Sequence, residues 1–281
     1  MKHVTLKFVV LSVCLACIFF LPHQSFARID PAKCLGAWLF DEDGAEMSED
    51  MSGKGNNGTI KGNPKWGEGK FGLALDCDGI DDQVDFGDND KLDIGTSDVS
   101  VVAWIRCAKY TPSGWRDTIV GKLSTTPPRR GYTFGVRGSE DATNKDKPVV
   151  MMGLASESGI TLFGAKPIND DTWHHVAMVC DRDGSMIFYR DGELEAQMSI
   201  ASGAKENEDT GQSFAIGTGS GGGFLQSLID EVAVFNVALT QDEIKNIMNR
   251  GLEWELGVIA VFPSGKLAAT WAAIRFRIYP R

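Results

Sequence analysis

The sequence reads as an all-β chain folding into an antiparallel β-sandwich with one short helix on its C-terminal side. Three observations lead there. Short apolar segments recur at intervals of roughly 8 to 12 residues, separated by Gly and Asp clusters, the spacing of sandwiches and jelly rolls. The clearest of them, Val99–Cys107, alternates as a strand and carries apolar residues on both faces. Late in the chain, a strand beginning at Ser227 turns at Asn236 into a single amphipathic helix that ends at Gly251.

In order, Cys34–Phe40 is the first strand, ended by Asp41-Glu42-Asp43-Gly44. The polar stretch Met47–Asn57 is turn-rich, Thr59–Ile60 is a short strand, and Trp66–Phe71 leads into the strands Leu73–Cys77 and Gln83–Phe86. In Val99–Cys107, Val99, Val101, Ala103 and Ile105 share one face and Val102 and Trp104 the other. Such a strand is covered on both sides, or presents one face as a binding surface. Residues 109–118 form a loop carrying Trp115 and Arg116. Ile119–Lys122, Tyr132–Val136, Val149–Leu154 and Ile160–Phe163 make a meander with polar loops at 123–131 and 138–147. Trp173–Cys180 and Ser185–Arg190 form a hairpin across Asp181–Gly184. A charged loop at 201–212 precedes the strand Phe214–Gly217 and a flexible run at Gly219–Gly223. That run is no phosphate loop, since it lacks a Lys-Ser/Thr ending and leads into a strand. In the closing helix Thr240 and Glu243 form a capping box, Ile244, Ile247 and Met248 form the apolar stripe, and Gly251 suits a left-handed C′ position.

The closing segment SLIDEVAVFNVALTQDEIKNIMNRG resembles the last strand and helix of laminin-G-like domains. Three further segments match that family in order: Ala74-Leu75-Asp76-Cys77-Asp78-Gly79 with Asp81-Asp82, Trp173-His174-His175-Val176-Ala177, and Tyr189-Arg190-Asp191-Gly192. The resemblance spans residues 33 to 251 and implies the jelly roll of the concanavalin A-like lectin/glucanase group. It also implies a structural calcium ion. Asp230 matches an aspartate that helps bind calcium in such jelly rolls, and Asp41, Asp50 and Asn57 lie in loops able to supply further oxygens, which Ca²⁺ takes six to eight of. The alternative is that Asp230 and Asp50 only stabilise turns.

Residues 1–27 read as a secretory signal peptide: Lys2 and Lys7 precede the apolar run Phe8–Leu21, and small residues stand at Ser25 and Ala27. The run is shorter than the ~20 residues of a membrane span. Residues 28–255 read as one jelly-roll domain and 256–281 as a C-terminal tail, where Gly265–Trp271 is similar to a tail found after some bacterial laminin-G-like domains. Cleavage takes the formal charge from −10 to −12, which disfavours nucleic acid and anionic membranes as partners. Four cysteines remain, Cys34, Cys77, Cys107 and Cys180, either disulfide-bonded in an exported chain or buried as free thiols.

The chemistry points to a non-enzyme. Two adjacent histidines, His174 and His175, project to opposite faces of a strand and read as packing residues. There is no GxSxG elbow, and no ExDxxE strand of the kind found in glycosidases of this fold. For a ligand, an aromatic platform beside planar polar groups suits a sugar, and Trp115, Arg116, Asp117 and Tyr132, with Arg130 nearby, are the candidates. An ordinary loop with one anchoring Trp is the alternative. The expected function is a secreted, calcium-stabilised module recognising a glycan or an extracellular surface. A structural protein–protein adhesion module is the second reading, and a glycoside hydrolase or lyase the third.

Overall fold

The structure is a computed structural model that describes residues 28–108, 114–200 and 206–257. The expected signal peptide and residues 258–281 of the expected tail lie outside the described residues. Two antiparallel eight-stranded sheets stack face to face. The first has the order β14(Glu193–Ser199), β13(Ser185–Arg190), β12(His174–Cys180), β7(Val99–Cys107), β16(Gln226–Phe235), β5(Leu73–Asp78), β4(Lys65–Glu68), with β1(Cys34–Trp38) also on β16. The second runs β11(Ile160–Phe163), β10(Pro148–Met152), β9(Gly131–Arg137), β8(Arg116–Leu123), β15(Ala215–Ile216), β6(Gln83–Asp85), β3(Gly58–Lys61), β2(Met47–Ser48).

Alternation builds the core between the sheets. Val99, Val101, Ala103 and Ile105 of β7 meet Tyr132, Phe134 and Val136 of β9 across the gap, with Trp38, Phe86 and Phe214 stacked at one end. The other face of β7 is also covered: Val102 joins Ala177, Ala233 and Phe235 beneath Ile244 and Ile247 of helix α1(Gln241–Arg250). The capping box at Thr240 and Glu243 is present, and the Asp191-Gly192 turn, both residues at positive φ, joins β13 to β14 as a two-residue hairpin. Gly251 has φ 82° but an extended ψ of 161°, so it stops α1 and lets the chain re-enter a second helix, α2(Leu252–Leu256). The expected single helix is thus two. Leu256, where the tail was expected to begin, is buried at the end of α2.

All four cysteines are buried free thiols, not disulfides. Register explains it. Cys77 and Cys107 both oppose Ser227, from either side of β16, so a full strand separates them, about 10 Å against a bridging limit near 7 Å. Cys180 opposes Val99, at the far end of β7 from Cys107, and Cys34 lies in the cluster under the helices. Burial pushes the thiols up, to about 12 for Cys34, Cys107 and Cys180.

Candidate functional site

Two places concentrate polar side chains, one on the outer face of each sheet. On the first sheet, β16 changes neighbour halfway: Ile229 is its last residue paired to β5, and Val232 its first paired to β1. Between them the register with β7 shifts and Glu231 adopts φ 51°, a bulge that begins just after Asp230, whose backbone still pairs with Trp104. The turn at 69–72 fills that gap. Phe71 N–H donates to Asp230 Oδ2 at 2.9 Å and Leu73 N–H to Asp41 Oδ1 at 2.7 Å. Gly72, at φ 70°, is required, because a Cβ there would overlap Asp41 Oδ1. Glu231 turns the other way and accepts the Leu252 N–H at the start of α2.

Asp230 is fully buried and its Oδ1 has no hydrogen-bond partner among the described residues. Burial, with like charge from Glu231 and Asp41, pushes its carboxyl up to about 9. A buried carboxylate oxygen without a donor among the described residues, within electrostatic range of Asp41 and Glu231, fits a hard divalent cation. Asp50 and Asn57 do not join it. Both Asp50 oxygens are engaged within their own loop, taking the N–H groups of Ala37, Ser52 and Asn56 and the Ser52 hydroxyl, while Asn57 Oδ1 accepts Asp50 N–H. Through the Ala37 N–H, Asp50 ties the 50–57 loop to β1. Beside Asp230 in register lie Trp104 and then His175, whose rings meet edge-on at 5.3 Å. Among the described residues neither Trp104 Nε1 nor either His175 nitrogen has a hydrogen-bond partner, and burial pulls His175 down to about 3. His174, on the opposite face, is held by Asp191 and Asp170 at 2.9 and 3.3 Å, and those hydrogen bonds raise it.

On the second sheet the outer face forms a cleft of about 370 Å³. Its floor is Leu123 and Met151, flanked by Trp115. Arg116 opens β8 opposite Arg137, which closes β9, and both guanidinium groups lie over the Trp115 ring, at 5.1 and 4.2 Å from its centroid. Arg129 and the hydroxyls of Thr125, Ser158 and Thr161 form the rim, with Ser220 and Gly221 at one end. The Gly219–Gly223 run is no flexible linker. It lies against β8, where a Cβ at Gly222 would overlap Thr118 Oγ1 and one at Gly223 would overlap Asp117 Oδ1. Only glycine permits that approach.

Of the expected ligand residues, Trp115 and Arg116 line this cleft. Asp117 is buried against Gly223. Tyr132 is in the inter-sheet core with its hydroxyl toward Leu92 O, and burial raises it. It shares parity with Phe134 and Val136, and that alternation is the signal that would have placed it in the core. Arg130 bonds to Asn207 O, and its neighbour Arg129 takes the place in the cleft. A second cleft, about 310 Å³, lies beside β5 and β16 and includes Asp78 and Asp82, whose oxygens with Asp81 come within 4.8 Å of one another. Asp82 there accepts Asp78 N–H and Asp78 accepts Ile80 N–H, which makes the group a turn.

Two stacked antiparallel sheets with a helix-capped outer face define a jelly-roll domain of concanavalin A-like type. A family model of the concanavalin A-like lectin/glucanases superfamily, in its laminin G form, matches residues 78–245, more than half of the chain, and the chain belongs to that family. Among solved structures, the binding domain of a paraclostridial mosquitocidal protein superposes with a TM-score of 0.61 at 14% identity, over 78% of this chain and 52% of that one. The binding domain of botulinum neurotoxin DC in complex with SialylT gives 0.58 at 14% identity, over 78% and 52%. Domain 4 of AbnA, a GH43 extracellular arabinanase from Geobacillus stearothermophilus, in complex with arabinotriose, gives 0.54 at 19% identity, over 77% and 98%. The chain spans about half the length of the two toxin chains, and at these identities the likeness is one of fold. A sequence search among curated proteins finds no match.

Proposed function

We propose that this domain is a secreted, non-catalytic saccharide-binding module whose ligand lies in the cleft floored by Leu123 and Met151 beside Trp115. One observation carries the reading: an indole with two guanidinium groups over its ring, beside the side chains of Thr125, Ser158 and Thr161, whose hydroxyls have no hydrogen-bond partner among the described residues, on an open sheet face. Among the described residues no carboxylate lines that cleft, which supports binding without glycosidic hydrolysis. The complexes of similar folds with SialylT and arabinotriose agree with a saccharide ligand. Asp230 and Asp41 would hold a calcium ion, which would neutralise the buried Asp230 carboxylate and tie the 69–72 turn to β16; it is remote in role from the cleft. Isothermal titration of the whole chain with an oligosaccharide panel tests the reading. Trp115→Ala should weaken any bound saccharide about 30-fold. If the panel is silent and a protein partner binds instead, the adhesion-module reading replaces this one.

A further inference from the structure

We propose that the cleft beside Trp115 selects saccharides bearing an anionic group, a carboxylate or a sulfate ester, with Arg116 and Arg129 supplying the charge; this rests on the cleft being the saccharide site. Two guanidinium groups, from Arg116 and Arg129, line it, and a third, from Arg137, lies over the flanking Trp115 ring, in a chain of formal charge −10. Their mutual approach is close enough that Arg129 and Arg137, after burial itself, draw Arg116 down to about 10.

Compensation is incomplete. Arg137 has Asp141 at 3.5 Å and gives a further bond to Trp115 O. Arg116 and Arg129 have no carboxylate within ion-pair distance among the described residues. Arg116 is 5% exposed, gives Nη2–H to Ser220 O at 3.0 Å, and leaves its Nε–H without an acceptor beneath Gly222. Arg129 gives its Nε–H to Glu157 O at 3.2 Å, and its backbone is pinned to Ser156, so the guanidinium is held in place. A buried guanidinium lacking a counter-charge is costly, and a planar anion matches its fork. The rim hydroxyls would take the neutral part of the same ligand. The cleft is therefore built as a positive pocket on an acidic molecule, and a neutral sugar would leave that charge unanswered.

The test titrates the whole chain with polygalacturonate, dextran sulfate, and neutral galactan and arabinan, at low and high salt. Expected is binding of polygalacturonate, dextran sulfate or both, weakened by salt, cut about tenfold by Arg129→Gln and largely restored by Arg129→Lys. Which polymer binds distinguishes carboxylate from sulfate recognition. Arg106→Gln, at a surface guanidinium paired with Asp171 at 2.9 Å, should change nothing; an equal loss there would reveal diffuse attraction and overturn the proposal. Binding of a neutral polymer that Trp115→Ala removes and Arg129→Gln leaves intact also overturns it, while keeping the saccharide reading. Silence toward all four polymers removes both.

Discussion

Each sheet turns one face to the common core and a second face outward, and the two outer faces are finished in opposite ways. On the first, helices α1 and α2 and the 69–72 turn close over the strands, and Asp230, Trp104 and His175 are buried with polar atoms that have no hydrogen-bond partner among the described residues. On the second, nothing among the described residues closes the centre, and Trp115, Arg116 and Arg129 border a cleft. Both faces hold charge that the protein does not balance by itself. Where the site is closed, the balance must come from a proton or an ion that becomes part of the fold. Where it is open, the balance can come and go, and that is what binding is. Enclosure, more than charge, separates a structural site from a recognition site here.

The comparison is broken most severely by opening the closed face. Gly72→Ala forces a side chain at φ 70° into Asp41, and should cost about 3 kcal/mol in urea denaturation. Gly53→Ala, at φ 78° with nothing within 4 Å, bears the backbone strain alone and should cost about 1 kcal/mol. Equal losses would mean that the turn does not rest on Asp41. Next comes the ion. Calcium at about 100 times its Kd should stabilise by about 2.7 kcal/mol, raising the melting temperature by about 5–10 °C. Asp230→Ala should abolish the shift and Asp50→Ala should leave it. A melt indifferent to calcium and chelator would leave the proton as the only means of neutralising Asp230.

Much of this was legible in the residues. Val99–Cys107 and Ile160–Phe163 form strands over their expected bounds because alternation and β-branching act locally. The Thr240–Glu243 cap is equally local. The strands Lys65–Glu68 and Glu193–Ser199 were not legible as strands, since both are edge strands of the first sheet with polar, half-exposed faces. The sites divide similarly. Asp41 comes within electrostatic range of Asp230 where β16 exchanges β5 for β1, a tertiary event with no local mark. Arg137 could be found only once β9 was paired to β8, which brings it opposite Arg116, and Arg129 only through its bridge to Ser156. The glycines at 219–223 read as freedom in one dimension, and in three they are close approach.

The smallest effect sharpens what enclosure means for a titrating group. His175 is fully buried and held near 3, below the ordinary histidine range near 6.5, so the folded chain keeps it neutral where the unfolded chain binds a proton. Its contribution is therefore fully present above pH 6.5 and is lost as the pH falls through 6.5 toward about 3, at a limiting slope of about 1.4 kcal/mol per pH unit. Carboxylates titrate in the same window, so the measurement is a difference: urea denaturation of the native chain and of His175→Phe at pH 7, 6, 5 and 4. Phenylalanine preserves the edge contact with Trp104 and removes two unpartnered nitrogens, so the variant should match or exceed the native chain at pH 7 and gain on it as the pH falls. Parallel curves would mean that the imidazole accepts its proton within the fold, and that this face admits water as the open one does.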